Sequence, residues 1–236
     1  MDKAEDVIIE LQKISSPEKA KIAMRFFKTG KGQYGEGDIF LGIMVPRQRE
    51  ISGKFDLDLA EIQKLLSSKI HEHRLVALFI LIKKYNKLKD HNLKKEIFGF
   101  YLKNTKYINN WDLIDLSAEK ILGEYLINSS AKEKRIIYDL AKSENIWERR
   151  IAMLTTFQFI KRGKFEASFK VAGILLNDKH DLIHKAVGWM LREIGKRDQN
   201  EEEKFLMKHY QKMPRTMLRY AIEKFDKKKR EFYMKT

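Results

Sequence analysis

Helical periodicity dominates the run of apolar and polar residues along this chain. Residues 2–14 predict an amphipathic helix. Ser16-Pro17-Glu18 then supplies an N-cap, a proline suited to the first helical position and an acid for the first turn. The helix it opens is expected to run to about Lys28. Residues 29–38, TGKGQYGEGD, form the one glycine-rich loop, and Pro46 is placed to open a further helix.

Beyond residue 60 the chain resembles itself. HEHRLVALFILIKKY near Arg74, WERRIAMLTTFQFIKR near Arg150, HKAVGWMLREIGKR near Lys185 and LRYAIEKFDKKKR near Arg219 each set basic residues beside small ones. NNWDLIDLSAEKIL near Asp115 fits the series more loosely. Successive steps of 41, 35, 35 and 34 residues suit a pair of helices with its turns, as in HEAT or armadillo repeats. The expected fold is therefore an all-α solenoid forming a single helical-repeat domain over 1–236. Residues 1–60 would be capping helices and the glycine-rich loop, and 61–236 the repeats. Alanine and glycine positions would let neighbouring helices pack closely. Basic residues recurring at one place in each repeat would line a concave face.

Composition narrows this picture. Three prolines and 12 glycines in 236 residues suit helices better than a sheet with many tight turns. There is no cysteine, so neither disulfides nor thiol chemistry enter. The acidic N-terminus does not read as a targeting peptide, and no apolar run approaches the ~18 residues of a membrane span. A cytoplasmic, monomeric protein without an obligate protein partner is expected. The formal net charge of +15 is unevenly placed: residues 1–60 are balanced, and the whole excess falls in 61–236. Such an excess favours a polyanionic partner, although solvated helix faces in a lysine-rich chain would look the same.

All three tryptophans lie within the repeats. Trp111 and Asp115 are spaced i, i+4, Trp147 and Arg150 i, i+3, and Lys185 and Trp189 again i, i+4, with Arg192 close behind. A single buried tryptophan is most often a core anchor. The recurrence of tryptophan beside a charge in three successive units points further. An aromatic face near a carboxylate suits a cationic ligand, and flanking bases suit phosphates.

The stretches NNWDLIDLSA, ENIWERRIAMLTTFQF and HKAVGWMLREIGKR resemble the AlkD-type DNA alkylation repair glycosylases. YGEGDIFLGIMVPRQR and MPRTMLRYAIEKF extend the likeness over nearly the whole chain. The resemblance implies HEAT-like helical pairs around double-stranded DNA. It implies removal of positively charged N3- and N7-alkylated purines without a metal or cofactor. On the matching positions, Asp115 is the catalytic carboxylate, Trp111 and Trp189 are aromatic walls, and Arg150 contacts DNA. Arg49 and Arg192 join the DNA-contacting set, to which the spacing beside Trp189 adds Lys185. Phe26 stands where family members can carry tyrosine, so the wall persists without its hydroxyl. The resemblance also implies action without a base-flipping pocket, from which tolerance of bulky alkyl groups is expected. Non-catalytic DNA- or RNA-binding repeat proteins and protein-binding HEAT scaffolds are the alternative readings.

Other signals carry less. Gly30 to Gly35 satisfies G-x-G-x-x-G but follows a helical pattern, not a strand, so a turn is expected and a dinucleotide site is not. His71 with His73, and His180 with His184, lack companions at metal-ligand spacing and read as exposed helix histidines. Asp112 reads as a helix-start or surface acid, Trp147 as a structural residue that helps place Arg150, and Lys227 to Arg230 as a solvated basic face.

Overall fold

A computed structural model describes residues 2–235. Those residues are all-α: they contain no strand, only an isolated β-bridge between Ile39 and Ile70. No helix among them is long and apolar enough to cross a membrane. The chain packs as two compact units, Met1–Leu113 and Ile114–Thr236.

The first unit holds α1 (Ala4–Lys13), α2 (Pro17–Phe26), α3 (Val45–Lys54), α4 (Leu59–Leu66), α5 (His71–Lys87) and α6 (His91–Lys103). It also holds the start of α7 (Trp111–Asp115), within which the division falls. Ser16 caps α2 by accepting the amide of Lys19, as Ser-Pro-Glu predicts. The helix stops at Phe26 rather than Lys28, because Lys28 takes a left-handed backbone with φ of 52°. The glycine-rich loop closes on itself through turns: Gln33 N–H donates to Gly30 O, and Gly35 N–H to Lys28 O. Gly42, at φ of 79°, brings the chain so close to α2 that a β-carbon would lie 2.3 Å from Ser16 O. Helix α5 packs against α3 and α4 and forms the core of this unit.

The second unit runs through a π-helical turn (Glu119–Gly123) and short α8 (Glu124–Leu126) into α9 (Ala131–Ala141) and α10 (Ile146–Thr155). After these come α11 (Phe157–Lys161), α12 (Glu166–Ile174), α13 (Asp181–Gly195), α14 (Gln199–His209), α15 (Arg215–Ala221) and α16 (Lys227–Met234). The segments near Arg150, Lys185 and Arg219 stand on α10, α13 and α15, the last two of which pack together, as do α10 and α13. The expected role of small residues is visible at Gly188 of α13. A β-carbon there would meet Met217 O of α15 at 2.4 Å.

Candidate functional site

Helix α7 is five residues long, with Trp111 at its first position and Asp115 at its last. Asp115 is partly covered and lies against α10, whose Arg150 is buried. The guanidinium grips the carboxylate in a fork: Nε donates to Oδ1 at 2.9 Å and Nη2 to Oδ2 at 2.7 Å. Nη1 donates to Leu182 O at the start of α13, 2.6 Å away. Arg150 thus joins α10, α13 and the end of α7 through one planar group. A planar, always-charged fork suits this task, and a lysine could not span the same three acceptors. Trp147, one turn earlier on α10, is buried and packs as a structural residue.

Trp189 is half-buried on α13, its ring 5.9 Å from that of Phe157. Its indole N–H donates to Glu193 at 3.3 Å. Burial works against the charge on Glu193, but hydrogen bonds from Lys196 and Arg197 hold its carboxyl below the usual range. Lys185 pairs with Asp181 at 2.9 Å on the outside of α13. Arg192 pairs with Glu223 and is mostly covered, so a phosphate contact there would compete with that carboxylate. Arg49 is exposed on α3, its guanidinium 4.1 Å from the centre of the Phe79 ring.

In the first unit Trp111 ends a stack of rings. It lies parallel to Phe27, with centroids 5.2 Å apart. Phe27 stacks on Phe40 at 4.9 Å, and Phe40 on the His71 imidazole at 4.5 Å. Phe26 meets Trp111 edge-on at 5.8 Å, and 64% of its surface is exposed, which keeps an apolar wall open to solvent.

His71 and His73 are not exposed helix histidines, because their partners bury them. The first turn of α5 sinks four polar residues, His71 to Arg74, each less than 5% exposed. His71 bridges two carboxylates, with Nδ1 3.1 Å from Asp38 and Nε2 2.8 Å from Asp112. Arg74 also binds Asp38, at 2.7 Å. Glu72 accepts from the amides of Leu41, Gly42 and Ile43. Asp112 is a helix-start acid as expected, but a buried one rather than a surface one. His180 and His184 are half-buried rather than exposed, His180 as the N-cap of α13. The two histidines of α5 titrate in opposite directions. Burial opposes the charge on His71, but Asp112 and then Asp38 overcome it and push the imidazole up to about 9. His73 faces burial and then Arg74, which lower it to about 4.

A family model described as DNA alkylation repair enzyme matches residues 7–225. The chain belongs to the DNA alkylation repair enzyme family. Solved structures with the same fold include a predicted DNA alkylation repair enzyme from Enterococcus faecalis. It has a TM-score of 0.68 and 17% identity, over 90% of this chain and 97% of that one. AlkD2 from Streptococcus mutans gives a TM-score of 0.55 and 18% identity, over 95% and 100% of the two chains. The smu.31 protein of Streptococcus mutans UA159 gives 0.55 and 19%, over 94% and 99%. No curated protein matches the sequence.

For a DNA alkylation repair enzyme, the second unit brings Asp115 and Arg150 together, while Trp189 keeps to Phe157 and Glu193. The first unit places Phe26 against Trp111. Sequence reasoning missed the Asp38, His71, Arg74 and Asp112 network. Its one linear signal is His71 and Arg74 at i, i+3, just ahead of the apolar run from Leu75 to Ile82.

Proposed function

We propose that this DNA alkylation repair protein is a glycosylase that hydrolyses the N-glycosidic bond of cationic N3- and N7-alkylated purines in double-stranded DNA. The observation that carries the proposal is the Asp115 carboxylate, oriented through both oxygens by Arg150. An N-alkylated purine is a good leaving group because it already bears positive charge. As its bond to C1′ breaks, the electron pair passes to the base and neutralises it, and positive charge develops at the sugar. A fixed carboxylate stabilises that charge and accepts the proton of the water that adds to C1′. Trp111 and Trp189 offer π faces to the cation, each worth roughly 0.5–2 kcal/mol. Arg49, Lys185, Arg192 and Arg150 supply positive charge toward the phosphates. Arg150 acts chiefly through Asp115, since its guanidinium is buried and committed to that carboxylate.

The deciding measurement is release of 7-methylguanine from alkylated duplex DNA. The parent protein is expected to release it, and Asp115→Asn to do so at least about a hundredfold more slowly. Full activity in the variant would remove Asp115 from the chemistry. The same ion pair favours a second reading, non-catalytic DNA binding, because both Asp115 oxygens are already engaged. Tight duplex binding with no release from the parent would select it.

A further inference from the structure

We infer that His71, as an imidazolium bridging Asp38 and Asp112, is the positioning residue for Trp111. The inference rests on the functional reading only in what Trp111 is positioned for.

Two chains of contact run from His71 to Trp111. One is polar and grips the backbone on both sides of the tryptophan. The Trp111 amide donates to Asn110 Oδ1 at 2.8 Å, and Asn110 Nδ2 donates to Asp38 Oδ2 at 3.2 Å. That same oxygen accepts from His71 Nδ1. Beyond the tryptophan, the Leu113 amide donates to Asp112 Oδ1 at 2.9 Å, and Asp112 Oδ2 accepts from His71 Nε2. The second chain is the ring stack, in which Phe40 and Phe27 separate the imidazole from the indole.

The charge state follows from the partners. A neutral imidazole has one N–H, and its other nitrogen would point a lone pair at a carboxylate. Both ring nitrogens face carboxylate oxygens, so both must donate. The charges confronting His71 are Asp38, Asp112 and Arg74, all buried. With His71 protonated these four sum to zero. Without its proton a net negative charge is left in the core, which is costly. The imidazole held up to about 9 agrees with this count. Loss of the proton releases one of the two carboxylates, and with it one side of the grip on Trp111.

The test is an NMR titration of the full chain with ¹⁵N-labelled indoles, the Trp111 resonance being assigned from Trp111→Phe. In the parent, the Trp111 indole resonance is expected to move between pH 7 and 10 with a midpoint near 9, while Trp147 and Trp189 hold still. His71→Gln at neutral pH should shift the Trp111 resonance alone and abolish its titration. Asp112→Asn should also shift it. A flat Trp111 titration in the parent, or equal movement of all three indoles, would overturn the inference. If His71→Gln does not fold, the parent titration alone decides. None of these readings depends on base release. A failed glycosylase assay with a titrating Trp111 would reject the function and leave the positioning role standing.

Discussion

Arg150 binds Asp115 through two parallel N–H···O contacts of 2.9 and 2.7 Å, from a side chain that is almost wholly buried. The pairing holds the end of α7 against α10 within the second unit. It also ranks the two residues. The carboxylate is the more accessible of the pair and the better placed to meet a substrate, and the arginine is what aims it.

Removing the arginine should therefore be felt first in stability. Arg150→Ala strips the partly covered Asp115 of its two-pronged partner and removes the side-chain donor to Leu182 O. The expected loss is about 3 kcal/mol, measured by urea unfolding. Arg150→Lys should recover only part of it, because an ammonium cannot reproduce the fork. A loss below about 0.5 kcal/mol for the alanine variant would show that the pair does not hold the unit.

Stability should fall as solutions become alkaline. A histidine whose pKa rises from 6.5 in the unfolded chain to about 9 in the fold contributes fully below 6.5. That contribution is lost as pH climbs through 9. Glu202, pushed up to about 9 by burial and then by Glu203, weakens the fold in the same direction, but its decline starts from 4.5. Urea midpoints measured from pH 6 to 10 should therefore decline, with a shallower slope between 6.5 and 9 in His71→Gln. Identical slopes in parent and variant would contradict the assignment.

Binding to undamaged duplex should depend steeply on salt, since neutralised phosphates release counterions. Arg49 is exposed and Lys185 is partly so. Arg49→Ala and Lys185→Ala should each weaken binding irrespective of sequence and lower the log–log salt slope by about 1. A slope near zero in the parent would show that these cations do not neutralise phosphates.

The close approach of α13 and α15 should leave no room for a methyl group. Gly188→Ala sets a β-carbon 2.4 Å from Met217 O, and the backbone cannot yield as a side chain can. The expected cost is about 1–3 kcal/mol in thermal or urea unfolding. Gly53→Ala, where a β-carbon meets nothing, is the matched control.

Much of this was legible in the linear chain. Periodicity announced the helices, Ser16-Pro17-Glu18 announced the start of α2, and the small residue in HKAVGW announced a tight crossing at Gly188. The i, i+4 spacing put Trp111 and Asp115 on one short helix. Fixed offsets within a helix make such relations visible. Partners 35 residues away are another matter: the sequence assigned Arg150 to DNA, and its fork on Asp115 could not be read. The histidines misled for a related reason. A polar residue looks solvated until its distant acceptors are known, and His71 finds Asp38 and Asp112 from 33 and 41 positions off. The division of the chain within α7 leaves no mark in composition, because the boundary falls inside an element and not in a linker.

The buried first turn of α5 has a consequence for how the first unit opens. Helix starts usually fray, because their leading amides lack partners within the helix. Here the His71 amide donates to Ile39 O, while the Glu72 carboxylate accepts three amides from residues 41–43. Asp38 closes the same knot through His71 and Arg74. The strip from Asp38 to Ile43 and the head of α5 should therefore exchange their backbone hydrogens as one block. They would be released together in a rare event rather than residue by residue from the end.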